Sequence, residues 1–242
     1  MTETVVPEAY QGYPGVAFGG YVAGLLAGRS AARTVRVDFR AVTPVGIPVE
    51  LAEVPGGGAR LLDKEGATLA TATPAADLSG PVPDVPSWAE AVAAAEEYRA
   101  HPPTGLVDEQ LDCFGCGLDR TPDRGLRQHC SLVPGRGLVA TAWTPHPVFA
   151  DGNGELTTEV LWAALDCPSA WAGVLAGRLG KGAVTAALTA TALRPVTTGE
   201  GHITFAWPVA HSGRKHTTGV AIATAAGELC VVGEALWVEP RS

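Results

Sequence analysis

The chain has 242 residues, of which 46% are hydrophobic and 17% charged, and its net charge is −8. That length is enough for one large domain or two small ones with a substantial buried core, and the apolar content excludes a disordered polymer. The acidic balance argues against a nucleic-acid binder, because neutralising phosphates takes a basic face.

No run of residues approaches the ~20 apolar positions of a membrane span. The opening segment, Met-Thr-Glu-Thr-Val-Val-Pro-Glu, has neither the basic start nor the apolar run of a signal peptide. Five cysteines, an odd number, do not suggest a disulfide framework. A cytoplasmic protein is the expectation.

Residues 1–80 read as a first unit. The turn-rich Gln11-Gly12-Tyr13-Pro14-Gly15 precedes a helix in which Val22, Leu25 and Leu26 recur at helical spacing. Thr34 to Ala41 then alternates apolar and polar side chains, as a half-buried strand does. Runs 49–54, 59–63 and 68–73 read as further strands, separated by turns at Gly56-Gly57-Gly58 and Lys64-Glu65-Gly66. Residues 81–112 form a connector stiffened by Pro81, Pro83 and Pro86. Its helix starts at Ser87, whose spacing from Glu90 fits a capping box, and runs to Ala100 before His101-Pro102-Pro103 stops it. Residues 113–242 repeat the first layout with longer parts: a helix near Thr158, then strands at about 184–194, 201–210, 215–225 and 228–238. A helix followed by a strand meander, twice over, predicts an α+β fold with two similar halves.

One short pattern occurs in both halves, damaged differently in each. Phe18-Gly19-Gly20-Tyr21-Val22-Ala23-Gly24-Leu25-Leu26-Ala27 keeps a Gly-Gly helix start but ends on Ala. Thr157-Thr158-Glu159-Val160-Leu161-Trp162-Ala163-Ala164-Leu165-Asp166 lacks the glycines but ends on an acid. Superimposed, the two segments resemble the His-Gly-Gly…Leu-x-Asp helix of hotdog-fold thioesterases. Cys113-Phe114-Gly115-Cys116-Gly117, continuing to Gly125-Leu126-Arg127, is similar to the opening of phenylacetate-pathway and acyl-CoA types of that superfamily. Leu193-Arg194-Pro195 with Gly199, and Gly213-Arg214-Lys215, are similar to its later strand turns. The resemblance implies a double hotdog: two antiparallel sheets, each wrapped around a central helix and paired edge to edge into one pseudo-dimer. The N-terminal hotdog is 1–80 and the C-terminal one 113–242. It also implies an acyl-CoA or acyl-carrier thioesterase. Coenzyme A is then part of the substrate, no separate cofactor is needed, and such chains can form a homo-oligomer.

The residues themselves suit that chemistry. Thioester hydrolysis needs an oxyanion stabilised and a nucleophile activated. The first amides of a helix have no intrahelical partner and sit at its positive end, and a Gly-Gly start admits a carbonyl without meeting a Cβ. Gly19, Gly20 and Tyr21 are therefore the candidates for polarising the thioester. Asp166, carried inward by an apolar helix, is the candidate base or nucleophile. Ser169 shares roughly its helix face and is placed to bond the carboxylate or a water. Pro168 withholds a hydrogen bond from Ala164, so a kink is expected beside the acid. Gln11 stands where related enzymes place a polar positioning residue. Arg194, Arg214 and Lys215 are candidate contacts for coenzyme A phosphates. With Ala27 in place of an acid and Thr158-Glu159 in place of glycines, one active site per chain is expected.

Three rival readings follow from the same residues. Phe18 and Thr157 replace the family His, which favours a non-catalytic acyl-thioester binding or regulatory protein. A hydratase needs a His beside the acid, and His146 or His202 would have to supply it. Cys113 and Cys116 with His129 and Cys130 suggest zinc, but adjacent His-Cys side chains point to opposite faces of a strand, so no metal is expected.

Overall fold

The computed structural model describes residues 1–102, 111–180 and 182–241. Residues 103–110 of the connector, with its Pro103, therefore lie outside the described residues. The first half supplies β1 (Thr2–Val5), α1 (Gly19–Ala27), β2 (Thr34–Phe39), β3 (Pro48–Val54), β4 (Gly58–Leu62) and β5 (Thr68–Pro74). The connector supplies α2 (Trp88–Ala100). The second half supplies β6 (Ser131–Val133), β7 (Leu138–Trp143), α3 (Thr158–Leu175), β8 (Val184–Ala192), β9 (His202–Ser212), β10 (Lys215–Thr224) and β11 (Leu229–Val238).

The two halves meet edge to edge. The strands form a single eleven-stranded sheet in the order β1-β3-β4-β5-β2-β8-β11-β10-β9-β7-β6. Its seam is the antiparallel pairing of β2 with β8, from Thr34 opposite Thr191 to Asp38 opposite Ala187. Each half would otherwise leave an unpaired strand edge there, and joining them satisfies both.

Side-chain alternation sorts the strands onto two faces. In the first half Val35, Val37, Leu51, Leu61 and Ala70 point to the inner face and join one core with α1 and α3. Arg36, Asp38 and Arg60 take the outer face, where they are half-buried or exposed. In the second half both faces are covered. Val139, Ala206, Val220 and Ile222 turn inward, while Leu138, Ala140, Ile203, Phe205 and Ala221 turn outward against Ala91 and Ala94 of α2. That double burial explains why β7 escapes the sequence pattern: Leu-Val-Ala-Thr-Ala reads as a continuous apolar run, without period-2 alternation. The strands β1 and β6 escape it because they are only four and three residues long.

The connector helix begins with a formed capping box. The Ser87 amide donates to Glu90 Oε2 at 2.7 Å, and the Glu90 amide donates to Ser87 Oγ at 3.3 Å. Helix α3 continues past Pro168 to Leu175. Among the described residues, no helix is long and apolar enough to cross a membrane.

Candidate active site

The two helices α1 and α3 lie side by side under the sheet, and glycines set how near they come. A Cβ on Gly20 would stand 2.7 Å from Ala163 Cα and 2.9 Å from Asp166 Cβ. A Cβ on Gly24 would collide with the backbone of Thr158 and Glu159. In the register of the repeated pattern, Gly20 matches Glu159 and Gly24 matches Ala163. The contacts Gly20–Ala163 and Gly24–Glu159 are therefore the same contact with the partners exchanged. Glycine inside a helix costs about 1 kcal/mol relative to alanine, and here it permits a backbone-to-backbone approach that no other residue allows.

That approach delivers the carboxylate of Asp166 to the first turn of α1. The Gly20 amide donates to Asp166 Oδ2 at 2.8 Å, and Thr185 Oγ1 of β8 donates to Oδ1 at 2.8 Å. Asp166 is only 3% exposed. Burial pushes its pKa up to about 6, against the pull of the Thr185 and Gly20 hydrogen bonds, and the nearby Cys113 adds to the rise. One acid thus has both oxygens fixed, one by each half of the chain. Its opposite number, Ala27, is a buried methyl group.

Phe18 occupies the N-cap of α1 without any side-chain cap. Its ring is buried, edge-on to Phe114 at 6.1 Å, and fills the space left by Gly115, where a Cβ would lie 2.6 Å from the ring. Gly19 and Tyr21 are half-buried. Their amides precede the first intrahelical acceptor and have no protein partner among the described residues. The Tyr21 ring stacks on Tyr10 at 4.0 Å.

The sheet, its antiparallel order and the two enclosed helices match solved structures. A protein of Novosphingobium aromaticivorans DSM 12444, provisionally named a thioesterase, superposes with a TM-score of 0.60 at 15% identity, covering 99% of this chain and 95% of its own. A provisionally named thioesterase II of Thermobifida fusca YX gives 0.61 at 15% identity over 99% and 93%. A hotdog-fold protein of unknown function from Alicyclobacillus acidocaldarius gives 0.58 at 14% identity over 99% and 93%. The chain has the hotdog fold. Comparison of the sequence with family models and with curated proteins gives no match.

Within this hotdog the expected residues separate into those brought together and those kept apart. Gly19, Gly20 and Asp166 meet, although the Gly20 amide is bonded to the acid rather than left open for a substrate. Ser169 sits one turn further on and donates to the Asp166 main-chain carbonyl at 2.6 Å while accepting from Trp237 Nε1 at 3.0 Å. Its hydroxyl therefore braces α3 against β11, not the carboxylate. Gln11 donates to Asp112 Oδ2 at 2.9 Å, and Asp112 pairs with the buried Arg120 at 2.8 Å.

The cationic candidates divide by sheet end. Thr185 lies opposite Trp237, and Trp237 opposite His216, so Arg214 and Lys215 stand at the Asp166 end. Arg194 follows the far end of β8, about nine residues or ~30 Å along the strand direction from Thr185, and pairs with Glu228 at 2.7 Å. Neither His146 nor His202 bonds Asp166: His146 Nδ1 accepts from the Val148 amide, and His202 Nδ1 lies 3.1 Å from the Glu200 carbonyl. Thr185 was missed by sequence reasoning, since a lone threonine at a strand start gives no signal of its partner on the preceding helix.

Proposed function

We propose that the chain is a thioesterase, a double hotdog in which one composite site forms between the two halves and hydrolyses an acyl-CoA or acyl-carrier thioester. The observation that carries this reading is the clamp of Asp166 between the Gly20 amide and the Thr185 hydroxyl. A buried carboxylate is costly unless fully bonded, and this one lies next to helix-end amides that have no protein partner among the described residues. The exchanged contacts of α1 and α3 support a pseudo-twofold relation between the halves.

In this mechanism the amides of Gly19 and Tyr21 donate to the thioester oxygen as it gains charge, at the positive end of α1. Asp166 acts as the general base toward a water. Both its oxygens already accept a hydrogen bond, which blunts direct attack yet leaves a lone pair on each to take a proton. The water adds to the carbonyl carbon, the C–S bond breaks, and the thiolate leaves with a proton from solvent or from the protonated acid. Arg214 and Lys215 are the phosphate contacts at the near sheet end.

The test is a panel of acyl-CoA substrates, followed by loss of the thioester absorbance, with Asp166→Asn as control. Turnover that disappears in the variant, with circular dichroism and acyl-CoA binding retained, supports the assignment. Binding without release by the wild-type chain rejects it in favour of the non-catalytic binder that the Phe18 substitution suggests.

A further inference from the structure

Beside Asp166 lies a cluster that the hydrolytic mechanism does not use. Cys113 and Cys116 come from the loop before β6, and Cys167 comes from α3. Their sulfurs all lie within 4.8 Å of one another, and all three residues are buried. The Cys113 and Cys167 sulfurs are 3.8 Å apart. Ligands at the ~2.3 Å zinc–sulfur distance around a tetrahedral centre stand about 3.8 Å from each other, so this spacing already fits one ion between them.

The loop is built to bring the three sulfurs together. The loop turns tightly, with the Gly117 amide donating to the Cys113 carbonyl at 2.8 Å. The amides of Gly115 and Cys116 point at the Cys113 sulfur. Gly115 has no Cβ, and one placed there would stand 2.6 Å from Cys167 Sγ, so the glycine lets the loop close on α3. The Tyr98 hydroxyl and Trp171 indole N–H are buried with no hydrogen-bond partner among the described residues. Both lie near the Cys116 thiol without bonding it. Unpartnered buried donors beside a sulfur cluster suit the outer shell of a metal-thiolate centre. Three neutral thiols would leave most of that donor capacity without an acceptor.

We propose that Cys113, Cys116 and Cys167 bind one thiophilic d10 cation, zinc(II) or copper(I), which ties the loop before β6 to the helix that carries Asp166. His129 and Cys130, the second half-site suggested by the spacing, are not part of it. The third ligand is distant in sequence, so spacing alone hid the site. Binding replaces the three S–H bonds by metal–sulfur bonds, and the three protons leave to solvent.

The full-length chain, purified without affinity metals, is analysed for bound zinc and copper. It is then stripped under reducing conditions and titrated separately with zinc(II), cobalt(II) and copper(I). Zinc or copper saturation at one equivalent per chain is expected, with a thiolate-to-cobalt charge-transfer band in the cobalt form. Tyr98→Phe should weaken binding by ~10–100-fold, the usual cost of an outer-shell partner. Cys167→Ser should weaken it further, and Cys130→Ala should leave it unchanged. Because the wild-type cobalt spectrum reports thiolate ligation directly, the test survives if a variant fails to fold. The proposal is overturned if neither zinc nor copper saturates near one equivalent, if the cobalt form lacks the band, or if Cys130→Ala abolishes uptake. A disulfide among the three in freshly reduced and stripped protein would also overturn it. None of these readouts depends on hydrolytic activity.

Discussion

Gly24 of α1 rests against Glu159 of α3 so closely that any Cβ on the glycine would overlap the Glu159 backbone. The pair repeats, with roles exchanged, the contact that brings Gly20 to Ala163 and the acid to α1. Helix spacing is thus set at two points, of which only one adjoins Asp166.

Gly24→Ala should therefore lower stability although alanine is the better helix former. Forcing a methyl between close-packed backbones typically costs ~1–3 kcal/mol, more than the ~1 kcal/mol gained in propensity. Urea unfolding of the variant measures the balance. A midpoint at or above that of the wild type would show that α1 and α3 do not need the glycine.

Thr185→Val removes one of the two donors to Asp166 without changing side-chain shape much. Losing a hydrogen bond to a charged group costs about 1.5–3 kcal/mol. Where that bond orients the base, hydrolysis should fall by ~10–100-fold at nearly constant KM. A variant with wild-type kcat would place Thr185 outside the machinery.

A single site per chain predicts one equivalent of a non-hydrolysable acyl-CoA analogue at saturation by calorimetry. Ala27→Asp should not raise that number, because Thr158 and Glu159 occupy the positions that glycines hold in the other helix. Two equivalents for the wild-type chain would contradict the asymmetry.

His129 gives a pH dependence of stability with a defined sign. Burial first, then the charges of Arg127 and Arg99, hold its pKa down at about 4 in the folded chain, from an ordinary 6.5. Its ring is stacked on Tyr98 at 5.0 Å, and neither ring nitrogen has a hydrogen-bond partner among the described residues. Below about pH 6.5 the unfolded chain takes up a proton that the folded chain refuses until about pH 4. The contribution is therefore fully present above pH 6.5 and is lost as the pH falls toward 4, by up to ~3 kcal/mol. Denaturant unfolding at pH 7 and pH 5 should show a smaller difference for His129→Phe than for the wild type. Equal differences would mean that this imidazole titrates alike in both states.

Much of this was legible beforehand, and for identifiable reasons. The helix start at Gly19 and the acid at Asp166 were marked by residue type and register, so their meeting could be anticipated from two incomplete copies of one pattern. The strands β2 to β5 of the first half were visible because one face is wet and the other dry. Ser169 and Gln11 were not legible: a hydroxyl one turn from an acid bonds whichever acceptor is nearer, and here that is the Asp166 carbonyl. Arg194 resembled its counterparts by motif, but only the β8–β11 register reveals that it lies at the far end of the sheet. Thr185 and Cys167 depend on how α3 meets β8 and the Cys-x-x-Cys loop, which no local pattern encodes.

Among the described residues, the segment carrying α2 shields the outer sheet surface over the second half. Over the first half the strands present Arg36, Asp38 and Arg60 instead. A second molecule stacking back to back would meet polypeptide on one side of the β2–β8 seam and charged strands on the other. The two sides of the seam therefore offer unlike outer surfaces, one formed by a helical segment and one by charged strands.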